Sequence, residues 1–186
     1  MDLGTTLYAS TRAAWRAWLA AHHESALEIW LVSYRKHTGQ SSVPYNDAVE
    51  EALCFCWIDS TRKDLDETRY AHRYSPRRAG SSYSQTNKER LARLADQGLL
   101  TPSAEADLAA NRPEAYVIPE DIRIALQARD GAWAFFQSTS PSYQRIRAAY
   151  VDHARKRPDA FEKRLANLVQ KCVQGKAFGY GIDAYY

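Results

Sequence analysis

The chain has 186 residues, with 25 Lys and Arg against 22 Asp and Glu, a formal charge of +3 and three cysteines. That length can bury a real core, and a pI near 8.7 is too mild for the broad basic face that nucleic-acid binding asks for. No run of about 18 apolar residues offers a membrane span, and the first thirty residues, with Asp2, Arg12 and Arg16, lack a signal-peptide core, so a cytoplasmic protein without a membrane partner is expected.

Ser10 or Thr11 caps a first helix whose apolar stripe is Ala14, Trp15, Trp18 and Leu19. It ends near His22 and His23, adjacent side chains that diverge and suit the negative end of a helix better than a metal. Glu28 to Lys36 (EIWLVSYRK) is rich in β-branched and aromatic residues and reads as a strand covered on both sides at its start. His37 to Ser42 reads as a turn, and Val43 to Tyr45 as a short returning strand. Asp47 with Glu50 forms a D-x-x-E box that opens a second helix carrying Ala48, Val49, Ala52, Leu53 and Cys56 on one face. Cys54 and Cys56 point about 200° apart on such a helix, which excludes a shared metal and leaves reduced core thiols.

Trp57 to Leu65 and Thr68 to Ser75 form a hairpin, with Tyr70, His72 and Tyr74 on one face and Ala71, Arg73 and Ser75 on the other. Pro76, without an N–H to donate, stops the ladder. Ser82, with Gln85 three residues on, opens a third helix that runs to Gln97 before Gly98. Beyond it the chain reads as wholly helical. Thr101-Pro102, Pro119, Ser140-Pro141 and Pro158 mark helix starts, Asp130-Gly131 marks an interruption, and Phe161, Leu165, Leu168, Val169 and Cys172 form the stripe of the last long helix. The glycine- and tyrosine-rich tail from Gly175 is either less ordered or packed back across its domain. The predicted fold is α+β: a small antiparallel sheet with flanking helices in residues 1–112 and an all-helical part in residues 113–186, with Asn111 to Ile118 as the linker.

The most informative stretch is Val49 to Asn87, and from Arg62 to Arg90 it holds eight Lys or Arg against four Asp or Glu. Its motifs are Cys54-Phe55-Cys56-Trp57-Ile58-Asp59, then Tyr74-Ser75-Pro76-Arg77-Arg78, then Ser81 through Asn87. Together with Ser140-Pro141-Ser142-Tyr143 further on, they resemble the YdeI/OmpD-associated family, also called bacteriocin-protection proteins. There the three stretches usually read A-L-C-F-G-W-I-D, F-x-P-R and S-x-W-S-x-x-N. Cys56 stands where that pattern has glycine, Tyr83 where it has tryptophan, Tyr150-Val151 where it favours Trp-Ile, and Ala160-Phe161 where it has Thr-Arg. The resemblance implies a cytosolic protein associated by name with tolerance to antimicrobial peptides, and it supplies no settled reaction.

Arg77 and Arg78 stand just before a helix start, where unpaired amides and the helix dipole favour an anion, and Ser81, Ser82 and Ser84 are in reach. Arg62 and Arg73 add charge, Trp57 and Tyr83 offer a stacking wall, and Asn87 completes the motif. Asp59 either acts as an acid or base or orients an arginine. The plainer alternatives remain open: serines that only cap, arginines that only solvate a loop, and Asp59 in a structural ion pair. The expected partner is an anionic small molecule held between Trp57, Asp59 and the Arg77 to Asn87 turn. The rival expectation is an enzyme acting on a carboxylate- or phosphate-bearing small molecule through Asp59. No glycine-rich phosphate loop, zinc-binding cysteine pair or dinucleotide fingerprint occurs, so neither cofactor nor metal is implied.

Overall fold

The structure, a computed structural model, describes residues 3–78, 80–109 and 116–185. Residues 111–115 of the expected linker, and the expected boundary after residue 112, lie outside them. Two compact units emerge, one of Met1–Ser82 with Arg90–Asn111, the other of Tyr83–Glu89 with Arg112–Tyr186.

The first unit is built on a four-stranded sheet in the order β1-β2-β4-β3, with β1 at Thr6–Tyr8, β2 at Ile29–Tyr34, β3 at Trp57–Asp64 and β4 at Arg69–Pro76. β1 lies parallel to β2, while β2 with β4 and β3 with β4 are antiparallel. The hairpin and central strand follow the predicted pattern; β1, three residues long, adds a parallel edge to what the sequence presents as an antiparallel sheet. α1 (Arg12–His22) connects the parallel pair, and the Thr11 side chain accepts from the Ala14 amide at 3.2 Å as its cap. α2 (Tyr45–Cys54) leads into the hairpin.

Both helices cover one face of the sheet. Ile29 pairs directly with Tyr74, and the Tyr74 ring lies 5.2 Å from that of Trp15 on α1, so Ile29, Leu31 and Tyr74 share the helix-covered side. The Trp15 indole donates to the Ala48 carbonyl at 2.9 Å, tying α1 to α2. Trp15, Trp57, Tyr74, Leu19, Ile29, Leu31 and Leu53 are all fully buried there, each worth about 1.5–3 kcal/mol of hydrophobic stabilisation. Trp30, Val32 and Tyr34 face the other side and are only half-buried, so β2 is covered on one face rather than on both.

Two local expectations give way. No strand forms at Val43 to Tyr45; the Val43 amide instead donates to the Ala9 carbonyl at 3.2 Å, and α2 starts at Tyr45 with Pro44 before it at φ −58°. Asp47 therefore sits in the first turn and binds Arg12 at 3.3 Å. Likewise α3 (Gln85–Asp96) is capped by Ser84 rather than Ser82, the Ser84 hydroxyl accepting from the Asn87 amide at 3.3 Å and its carbonyl from the Lys88 amide at 3.0 Å. α4 (Pro102–Ala109) begins as predicted after Thr101, whose hydroxyl also donates to the Cys54 carbonyl at 2.8 Å.

The second unit holds α5 (Glu120–Gln127), α6 (Ala132–Ser138), α7 (Pro141–Asp152) and α8 (Pro158–Val173). Its core joins Ile122, Leu126, Phe136, Val151, Leu168 and Cys172. The break between α5 and α6 falls at Gly131, which takes the left-handed conformation (φ 75°) that a side chain would resist. The tail packs back: the Phe178 amide donates to the Tyr143 hydroxyl at 3.0 Å, and Ile182 and Tyr185 are buried against Tyr143 and Ile146. No helix among the described residues is long and apolar enough to cross a membrane.

Candidate functional site

A β-bulge decides which side chains meet on the helix-covered face of the sheet. Asp59 pairs with Tyr74, but the next pair in register is Arg62 with His72, so β3 spends three residues where β4 spends two. Strict alternation would send Asp59 and Arg62 to opposite faces. The extra residue brings both to the side of Tyr74 and His72, where α2 begins.

Tyr45, in the first turn of α2, donates its hydroxyl to Asp59 Oδ2 at 2.8 Å and sets its ring 5.0 Å from the His72 imidazole. Tyr70 meets His72 edge-on at 5.5 Å, and the Arg62 guanidinium lies 4.5 Å from the Tyr70 ring centre while pairing with Asp64 at 3.0 Å. Tyr45, Asp59, Tyr70 and His72 are each half-buried, which makes a shelf that solvent reaches. Beneath it Tyr74 is fully buried, and its hydroxyl has no hydrogen-bond partner. Burial, then the neighbouring Asp59 carboxylate, push the Tyr74 phenol well above its usual pKa, so it stays a neutral donor. His72 is held below its ordinary value, chiefly by burial; Asp59 opposes that shift and Arg62 reinforces it. Burial thus favours the neutral imidazole.

The residues expected to form one anion hollow are distributed more widely. Trp57 is core: its indole donates to the His23 carbonyl at 3.1 Å and stands edge-on to Trp18 at 5.8 Å. Arg73 sits opposite Trp30 on the other face of the sheet from Asp59 and pairs with Glu28, its Nε 2.8 Å from the carboxylate. Arg77, with a side chain only 6 % exposed, binds Asp107 of α4 at 2.6 Å. Neither arginine forms the pair with Asp59 that a flat hairpin suggested. Arg78 is exposed, and its carbonyl accepts from the Ser81 hydroxyl at 2.7 Å. Tyr83, Ser84 and Asn87 belong to the second unit, where Tyr83 is buried and Ser84 caps α3. The shelf residues that the sequence did not mark as site residues are Tyr45, Tyr70, His72 and Tyr74, although the run Tyr70, His72, Tyr74 on one hairpin face was the available signal. No group of three or more His, Cys, Asp or Glu able to hold a metal occurs among the described residues.

Cys56 explains one departure from the motif. It alone among the described non-glycine residues has a positive φ, 57°, at the junction of α2 and β3, a left-handed position costing about 1–2 kcal/mol with a side chain. Glycine there adds unfolded-state entropy but removes the strain. Cys56→Gly is expected to raise stability by about 0.5–1 kcal/mol, measured by urea unfolding. A loss of similar size would mean that the thiol's contact with Ser103 outweighs the backbone strain.

An α+β unit bearing this shelf, followed by a helical unit, defines the class of protein, and two family models match the chain in the same order, the first also taking in Tyr83–Glu89 of the helical unit. Residues 7–107 match the model described as a domain of unknown function (DUF8412), and residues 115–175 match the one described as Bacteriocin-protection, YdeI or OmpD-Associated. The first match spans more than half of the chain, which belongs to that family; the second makes the helical part a YdeI/OmpD-associated domain. The Cys54 to Asn87 motifs thus fall under the first model, and Ser140-Pro141-Ser142-Tyr143 under the second. No curated protein and no solved structure matches the chain.

Proposed function

We propose that this protein is a cytoplasmic small-molecule-binding protein whose recognition surface is the shelf of Tyr45, Asp59, Arg62, Tyr70 and His72. One observation supports this above the rest: the Tyr74 hydroxyl, buried beneath the shelf on the strand paired with Asp59, has no hydrogen-bond partner in the protein. Buried polar atoms are ordinarily satisfied; a ligand that settles into the shelf with an acceptor directed at this phenol would satisfy it, and a donor on the same ligand would bond the half-buried Asp59 carboxylate. The rings of Tyr45, Tyr70 and His72 supply faces for stacking. An anionic group on the ligand would meet Arg62 at the rim. The protective role in the matched family's description gives the setting, with capture of the ligand as the protective act.

The test is thermal stabilisation by a panel of nucleotides, phosphorylated metabolites and acyl carboxylates, with polyols and amines beside them. A ligand at a hundredfold excess over its dissociation constant adds about 2.7 kcal/mol. Tyr74→Phe is expected to lose about tenfold in affinity while keeping or raising the stability of the free protein, because it deletes an unpaired buried hydroxyl. Failure of every panel member to stabilise the wild type would sink the proposal, as would wild-type affinity in both Asp59→Asn and Tyr74→Phe.

A second reading, an enzyme acting on a carboxylate- or phosphate-bearing small molecule, is favoured by the neutral His72 beside Asp59, a pairing suited to acid–base work. Turnover of a panel ligand that disappears in Asp59→Asn while binding persists would select it.

A further inference from the structure

α8 carries two apolar stripes. One, through Leu168 and Cys172, faces the core of the helical unit. The other lines an open groove of about 710 Å³ between α5 and α8, whose walls include Ala125, Arg129, Glu162, Ala166, Val169 and Val173. Along the groove Glu162, Ala166, Val169 and Val173 are spaced four, three and four residues apart, the spacing of one seam of a two-helix coil, with Val169 shared with the core as the floor and the others open to solvent. Val173, at the groove's edge, is 45 % exposed. A small residue at 166 lets another helix approach closely.

The charges choose the occupant. Arg129 and Glu162 both reach the groove, both are exposed, and neither forms an ion pair among the described residues. A ligand of one sign, such as a fatty carboxylate or a cationic amphipathic peptide, satisfies one of them and leaves the other facing apolar surface. A second copy of the chain satisfies both. In an isologous two-fold contact, whatever residue i does to residue j is repeated in reverse, so Arg129 of each copy meets Glu162 of the other, and each α8 seam fills the opposite groove. We infer that the α5–α8 face of the helical unit is a self-association surface, sealed at its ends by reciprocal Arg129–Glu162 pairs. This goes beyond the ligand-binding reading and does not depend on it, since every residue involved lies in the second unit.

Light scattering coupled to size exclusion, run on the full chain from low micromolar to hundreds of micromolar, reads the outcome directly. The wild type is expected to approach twice 21.1 kDa as concentration rises. Ala166→Arg, which forces a charge into the seam, should hold the chain at 21.1 kDa throughout. Glu162→Arg should weaken association at least about tenfold by placing like charges opposite each other, and the double exchange Arg129→Glu with Glu162→Arg should restore it to within about threefold of wild type. All three positions changed line the groove, and unfolding midpoints near the wild-type value verify that each variant folds. A wild type that remains at 21.1 kDa at every concentration overturns the inference. So does a dimer that ignores Ala166→Arg, or an exchanged pair that fails to restore association.

Discussion

Arg77→Ala is expected to lower the thermal midpoint by roughly 6–12 °C, the counterpart of about 3 kcal/mol in a chain of this size. Arg77 lies where β4 ends, its side chain 6 % exposed and its Nη1 2.6 Å from Asp107, which is itself 29 % exposed on α4. Its amide donates to the Cys56 carbonyl at 2.8 Å, so backbone and side chain together fasten the end of the hairpin to the α2–β3 junction and to α4. Truncation strands a partly buried carboxylate and opens a cavity where the guanidinium lay, and both changes penalise the folded state. Asp107→Asn should cost less, because the amide oxygen still accepts a hydrogen bond. The double variant should cost less than the sum of the two single ones, the mark of a direct interaction. An arginine reserved for a ligand behaves in the opposite way: its removal leaves the midpoint unchanged and abolishes ligand stabilisation alone. Denaturation curves for the three variants, with and without a panel ligand, separate the two roles, and an unaltered midpoint in Arg77→Ala would exclude the structural one.

This arginine marks the boundary of what the sequence can reveal. Short-range signals were legible. Thr11 and Ala14, Ser140 and Tyr143, and the Trp57 to Ser75 hairpin are all written within a few residues of one another, and hydrophobic spacing locates α1 and α8 without help from distant contacts. The partners of the arginines are not local. Glu28 stands 45 residues from Arg73 and Asp107 stands 30 from Arg77, so two arginines that look available when the segment is read alone are paired once it folds. Asp59 was visible as a candidate, but its company was not, because the bulge that turns Arg62 toward His72 exists only in the pairing of two strands. Several neighbouring hydroxyls made Ser82 as plausible a cap as Ser84, and three residues of β1 gave too little periodicity to register. Glycine in the family pattern at position 56 was a backbone requirement, readable as such only with φ in hand.

Arg145→Ala is expected to cost about 3–5 kcal/mol at neutral pH and to reverse the acid response of the helical unit. Glu89 has a side chain only 2 % exposed, and Arg145 clasps it with two bonds, Nε to Oε1 at 2.6 Å and Nη2 to Oε2 at 2.8 Å. Burial by itself would raise the Glu89 carboxyl, but Arg145, helped by Ser142 and Gln85, overrides burial and holds it below its ordinary value of 4.5. A carboxyl lowered on folding contributes stability that is complete above the ordinary value and disappears as pH falls through the lowered one. The wild type should therefore lose stability only in acid, below about pH 4.5. Without Arg145 the burial effect remains and its main opponent is gone, so the carboxyl rises above its ordinary value and its charged form destabilises the fold. Stability of Arg145→Ala should then improve as the solution is taken from pH 8 towards pH 5, opposite in sign to the wild type. Urea unfolding across that range measures the slope directly. Adding Glu89→Gln to Arg145→Ala should flatten the slope and recover part of the lost stability, since the amide keeps its shape and its Gln85 neighbour without carrying a charge. A slope that stays flat or negative in acid for Arg145→Ala alone would show that Ser142 and Gln85 suffice to hold the carboxylate, and that the ion pair sets neither the stability nor its pH dependence.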